Sequence, residues 1–261
     1  MTKVVYESSL LLGTNKAGKL RCDPDGYYDV TLGGFDTYNS AGAYYDFASA
    51  KSHFDSDHEF MRRIQTRALY GELGHPDPVP NMSKVDWITR IIQTDPKNIS
   101  HHIKSVELDD TVFKNRDGKP QITVFGRIKP AGPHAQSMGD SLDNPDENVA
   151  FSIRSLTQDK FDPYRGCMVK KMVKIVTFDR VVEPGIATSV KLLHPSLESL
   201  AVGEFNLETI DTAIVRAGEL YSGMECKQLQ DALRSIRTGV VTPTQAVILG
   251  SAKLPRSARW V

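Results

Sequence analysis

The sequence predicts an α+β protein built on a mainly antiparallel β-barrel, with helices around it and a helical region towards its C-terminal end. Three observations carry that prediction. From "DWITRIIQTD" onward the chain is a succession of β-branched or alternating runs cut by "DPK", "RDGKP" and "PAGP", the punctuation of antiparallel strands. After Pro184 apolar residues recur every three or four positions and strand formers thin out, the pattern of amphipathic helices. A chain of 261 residues with 40% hydrophobic content can bury one large core with an appendage. The shift in composition divides it near Pro195, into a barrel with helices over residues 1–195 and a helical region over 196–261.

Taken in order, "VVYESSLLLG" reads as a strand, and "CDPDGYYDVTLGGFDTYNSAGAYYDFASA" as loops and short irregular strands under which seven Tyr and Phe residues pack. "DHEFMRRIQTR" sets Phe60, Met61 and Ile64 at helical spacing behind Asp57 as a cap. Four strands are expected next, at "DWITRIIQTD", "NISHHIKSVELDD", "TVFKN" and "QITVFGRIKPAG". "HAQSMGDSLDNPDE" is a short helix and a loop, and "NVAFSIRSLT" and "CMVKKMVKIVTFDRVV" are further strands. The strand count and regular turn signals suggest a closed or nearly closed β-barrel with helices attached. Helices are then expected in "EFNLETIDTAIVRAGELY", "GMECKQLQDALRSIRTG" and "TPTQAVILG", the last capped by Thr242 with Pro243 in the first helical position. The basic tail "SAKLPRSARWV" is expected to be loose.

Several function classes are excluded at this level. Lys plus Arg equals Asp plus Glu at 32 each, so no overall field favours nucleic acid. Cysteines 22, 167 and 226 are too few and too scattered for a disulfide framework or a thiolate metal site, which points to a reducing interior. The N-terminal apolar run is too short for a secretory signal, and no run of eighteen apolar residues could span a membrane. Phosphate-binding glycine loops, HExxH and GxSxG are absent. His101 and His102 are neighbours in a strand, where they point to opposite faces and do not chelate one ion together. In "VKKMVK" the charges are expected to alternate toward a water-facing side.

What chemistry remains lies in three places. His75 ends "YGELGH", where Gly71 and Gly74 permit unusual backbone geometry and Pro76 fixes the exit of the chain. Ser152 lies in "FSIRSL" and Asp179 in "VTFDRVVEPG". A serine nucleophile needs an imidazole to take its proton, and the imidazole needs a third group to fix its tautomer. Ser155 is the competing serine, turned to the other side of a regular strand by its odd offset from Ser152.

In order along the chain, "ALYGELGHP", "NISHHIKSVELDD", "VFGRIKPAGPHAQ", "ENVAFSIRSL" and "IVTFDRVVEPG" resemble the prohead maturation proteases of large tailed phages, over about Leu69 to Ser189. That family shares a fold with the herpesvirus assembly proteases, so the resemblance implies a herpesvirus-protease-type barrel for residues 1–195. It implies His75 as general base and Ser152 as nucleophile, 77 positions apart and brought onto neighbouring strands by folding. Asp179 matches the "FD" of a late strand block and would be the third member. Because the herpesvirus relatives use a second histidine there, His194, His101 and His102 stay open as alternatives. Arg154 or Arg165, with Gly166, could serve the developing oxyanion.

The resemblance implies a serine endopeptidase without cofactor or metal. Its substrates would be scaffold proteins, the propeptide of the major capsid protein and the protease itself, cut after glutamate inside the assembling prohead in the host cytoplasm. Neither nucleic acid nor membrane is an expected partner. Residues 196–261 would be a scaffold-docking segment or a removable propeptide, with Glu225 in "GMECKQLQ" supplying a bond for self-cleavage. The rival reading is a catalytically silent scaffold or capsid-interaction protein of the same fold.

Overall fold

The computed structural model describes residues 3–11, 22–39, 41–144, 146–181, 203–220, 227, 229–234 and 236–237. Its strands are β1 (Lys3–Leu11), β2 (Tyr28–Phe35), β3 (Thr37–Tyr38), β4 (Tyr44–Asp46), β5 (Tyr70–Glu72), β6 (Ile99–Asp109), β7 (Ile122–Pro130), β8 (Ala150–Asp162), β9 (Cys167–Val181) and β10 (Gly203–Asn206). The helices are α1 (Phe47–Ala50), α2 (Glu59–Gln65), α3 (Lys84–Ile92), α4 (Ala135–Asp143) and α5 (Leu207–Leu220).

An α+β architecture is what these elements build, but the strands form two sheets and not a closed barrel among the described residues. One sheet has the order β10-β1-β8-β9-β4-β3 and the other β2-β7-β6-β5. All pairings are antiparallel except β4 on β9. At one seam the sheets touch: Leu73, just past β5, makes a parallel bridge to Arg180 of β9, and the Gly74 N–H donates to the Arg180 carbonyl at 2.6 Å. A period-two pattern identifies strands but not their partners, which is why the expected closure fails.

Between the sheets lies the main core, with Leu32, Phe35, Ile103, Val124 and Ile128 facing Phe151, Ile153, Ile175 and Phe178. A second core covers the outer face of β8 and β9, where Leu156 and Val176 meet Trp87, Ile88 and Ile91 of α3 and Ile210, Ala213 and Ala217 of α5. Covered on both faces, β8 is buried without interruption from Ala150 to Thr157. The polar side chains within that run therefore lie in the interior and require partners.

Four local expectations need correction. "DWITRIIQTD" is not a strand: residues 84–92 form α3, capped by the Ser83 hydroxyl, which accepts from the Asp86 N–H at 3.1 Å. Trp87, Ile88, Ile91 and Ile92 sit one turn apart, and that helical spacing outweighs the β-branched composition. "TVFKN" contributes a single bridge, Lys114 to Pro120, and no strand. Residues 28–35 form one eight-residue strand, longer than the short strands expected, with its irregularity confined to a bulge between Thr31 and Gly33. The cap of α2 is His58, not Asp57. The sequence also hid β10, which pairs with β1 immediately before α5. Thr242, Pro243 and the basic tail fall outside the described residues.

Two buried imidazoles give the fold a pH dependence. Burial pushes both His53 and His101 down to about 4, so they stay neutral in the folded protein while the unfolded chain protonates them near the ordinary imidazole value. The unfolded state then binds more protons throughout that window. Stability is complete above it and falls as pH drops from about 6.5 towards 4, by about 1.4 kcal/mol per pH unit for each group. Urea unfolding at pH about 7.5 and about 5 should show a lower midpoint at the acid end. Equal midpoints would contradict neutral burial.

Candidate functional site

The site is built where the two sheets meet. After β5 the chain turns through Gly74, whose φ of +78° suits glycine and few other residues. Asn98 clamps this turn from the other side: its carbonyl accepts from the Leu73 N–H at 3.0 Å, and its side-chain amide donates to the Leu73 carbonyl at 2.9 Å. Tied on one side to Asn98, just before β6, and on the other to Arg180 of β9, the turn delivers the His75 ring to Asp179, Nδ1 to Oδ2 at 2.8 Å.

Asp179 is fully buried and saturated with donors. Besides His75, its carboxylate accepts from the Glu72 backbone N–H at 2.9 Å, from Arg154 Nε at 2.7 Å and from Arg154 Nη2 at 2.6 Å. Burial alone would favour the neutral acid, but the Arg154 guanidinium and the His75 hydrogen bond overcome it and hold the carboxyl well below the usual carboxylate range. An ionised carboxylate can only accept, so Nδ1 of His75 carries the proton of that hydrogen bond. In the neutral ring Nε2 is then the lone-pair nitrogen. That atom is buried and has no hydrogen-bond partner among the described residues.

Ser152 enters through sheet register. In the β8–β9 ladder it is paired directly with Asp179, so the two side chains leave the same face of the sheet. Arg154 and Thr177, paired two positions along, continue that polar face, and Thr177 Oγ1 donates to the Tyr70 carbonyl at 2.7 Å. His75 does not come from a strand next to that of Ser152, as the sequence suggested: β9 lies between, and the histidine reaches over from the turn after β5. Ser152 is fully buried, so its hydroxyl is closed to an external peptide in this conformation.

The other sequence candidates separate from this cluster. Ser155 is paired with Ile175 beyond a bulge after Arg154, and its hydroxyl is buried without a partner among the described residues. His101 is fully buried, with its ring edge-on to Phe151 and Nδ1 at 2.9 Å from the Ser100 hydroxyl. His102, on the opposite face, lies 3.2 Å from the Tyr27 hydroxyl. Arg165 is at the tip of the β8–β9 hairpin, stacked on Tyr44 at 3.9 Å. Ten residues of strand separate that tip from Ser152, roughly 33 Å at 3.3 Å per residue, so Arg165 does not reach the cluster. Arg154 points Nε and Nη2 at carboxylates and Nη1 at the Gln93 carbonyl, at 3.1 Å. His194 and Glu225 fall outside the described residues.

Sequence reasoning missed Glu72 and Arg90. Glu72 is fully buried, and its carboxylate is held by Arg90 through two bonds, Nη1 to Oε1 at 3.0 Å and Nη2 to Oε2 at 2.5 Å. It also lies 3.0 Å from Arg154 Nη2 and accepts from the Asp95 N–H at 2.8 Å. A glutamate inside the glycine-flanked block was visible in the sequence. Its partner was not, because Arg90 sits on the helix read as a strand. Among the described residues no group of three or more His, Cys, Asp or Glu is placed to hold a metal ion.

Most of the chain is similar to known proteins. A model of the peptidase S80 family matches residues 6–236. The capsid maturation protease of Pseudomonas phage phiKZ is 37% identical over 235 residues, covering 87% of this chain and 84% of that protein. No solved structure matches the chain significantly.

Proposed function

The chain belongs to the peptidase S80 family, and from that premise we propose that it is a serine endopeptidase of phage head maturation. The observation that carries the reading is the 2.8 Å contact of His75 Nδ1 with an ionised Asp179 that sits directly opposite Ser152 in the ladder. Ser152 Oγ attacks the scissile carbonyl while His75 Nε2 takes its proton. Asp179 stabilises the resulting imidazolium, which then gives the proton to the leaving amine. Water, deprotonated by the same nitrogen, hydrolyses the acyl-enzyme and frees Ser152.

Because Ser152 is buried, an opening step precedes attack, as suits a protease that is dormant until assembly. Substrates are scaffold and capsid precursors and the chain itself, within the prohead in the host cytoplasm. A fold of herpesvirus-protease type belongs to the same reading, as two sheets joined at the seam of Leu73 and Arg180 and not as a closed barrel. So does the division near residue 195. The burial of Phe205 and Ile210 against the α3 cluster supports a capping role for residues 203–220.

Ser152→Ala is expected to lower cleavage of the purified capsid precursor by at least about a thousandfold without changing the unfolding midpoint. A serine-directed fluorophosphonate should label Ser152 in the wild type. Unchanged processing by the variant, or labelling only at Ser155, would overturn the assignment; a wild type that cuts nothing in assembled proheads would favour a silent scaffold.

A further inference from the structure

A carboxylate that supports an imidazolium does so with its charge, yet Arg154 places two donors on Asp179 and counters that charge at contact distance. The next layers restore it. Glu72 stands behind Arg154 at 3.0 Å, and Arg90 stands behind Glu72. From Asp179 outward the formal charges run minus, plus, minus, plus, with the first three side chains fully buried and Arg90 a quarter exposed.

We infer that Glu72 is a positioning residue for His75: its buried carboxylate offsets Arg154 so that Asp179 keeps its pull on the imidazolium, and Arg90 sets how strongly it does so. This rests on the proposed role of His75 as base. Glu72 acts mechanically as well, since its own N–H holds Asp179 Oδ1 at 2.9 Å and its carboxylate pins the Asp95 N–H and the side-chain amide of Asn98, which clamps the histidine turn.

The electrostatic part makes a signed prediction. His75 contacts Asp179 on β9, behind which stand Arg154 on β8, Glu72 on β5 and Arg90 on α3; Arg180 follows Asp179 on β9, His101 on β6 lies in the field of both, and Asp77 follows His75 in the chain. The Arg180 guanidinium is turned away to Ser137, Ser141 and Glu147. His101 stays neutral until about pH 4. The acid limb of the rate profile follows protonation of the base and so reports the balance of these charges.

The test is kcat/KM against pH for the full-length protein acting on the purified capsid precursor. Glu72→Gln removes a negative charge, disfavours the imidazolium and should move the acid limb to lower pH by about half a unit to one unit. It should also lower kcat by about tenfold with little change in KM. Arg90→Gln removes a positive charge and should move the limb upward by a similar amount, with Arg90→Lys restoring it. Each Gln variant loses the same ion pair, so simple loosening would move both limbs the same way. Shifts of one sign, or none in Arg90→Gln, would overturn the inference while leaving the Ser152 result intact. Should Glu72→Gln fail to fold, the partly exposed Arg90 variants decide the matter alone.

Discussion

Asparagine in place of Asp179 is expected to slow cleavage by about three to four orders of magnitude and to destabilise the protein at the same time. The activity loss follows from the tautomer. An ionised carboxylate forces the His75 proton onto Nδ1, whereas an amide can present its NH₂ to that nitrogen and move the proton to Nε2, where the base is needed. The stability loss follows from charge: Arg154 is fully buried and would keep Glu72 as its remaining carboxylate, leaving the network one positive charge out of balance. Breaking one partner out of a buried pair costs about 3–5 kcal/mol.

The two effects separate in a double variant. Adding Arg154→Met to Asp179→Asn removes the stranded cation, and Glu72 still keeps Arg90, the Asp95 N–H and Asn98. The double variant should regain most of the lost urea midpoint and remain inactive. Recovery of cleavage together with stability would show that Asp179 acts only as a structural anion, and full activity in Asp179→Asn alone would pass the third role to another residue.

How much of this was legible in the sequence depends on the range of the interaction. His75 stood out because its glycine-flanked turn is a local signal, and Gly74 does take the positive φ expected of it. Ser152, Asp179 and the separation of Ser152 from Ser155 followed from short blocks and strand periodicity. The ladder register that sets Ser152 opposite Asp179 joins residues on different strands, and no local pattern encodes it. The same limit hid the parallel insertion of β4 beside β9 and led to a barrel where two sheets form. At α3 the signal was present and misjudged: β-branched residues argued for a strand, while Ser83 followed by Asp86 and the turn-spaced Trp87, Ile88, Ile91 and Ile92 argued for a capped helix. That one misjudgement removed Arg90 from view, and with it the reason for a buried Glu72.

Gly71→Ala is expected to be the most damaging single methyl group in the site. A Cβ at Gly71 would stand 2.2 Å from the Phe178 carbonyl oxygen and 2.3 Å from Cε1 of His101, so it would collide with backbone on one side and a fully buried ring on the other. Neither can yield locally, since Phe178 neighbours Asp179 on β9 and His101 is paired with Gly71 itself in the β5–β6 ladder. Relief requires β5 to move away from β9, which opens the seam at Leu73 and Gly74 and withdraws His75 from Asp179. Overpacking of a tight interior costs about 1–3 kcal/mol and more where backbone must shift, so the upper end or beyond applies here. Gly74→Ala is the control. Its φ of +78° strains an alanine, but nothing lies within 4 Å of the added carbon, and the cost should stay near about 1 kcal/mol. Urea midpoints of the two variants would then differ strongly in favour of Gly74→Ala, with cleavage lost in Gly71→Ala even below its unfolding transition. Comparable midpoints would mean that β5 is free to slide, and the close seating of the histidine turn against β9 would lose its physical basis.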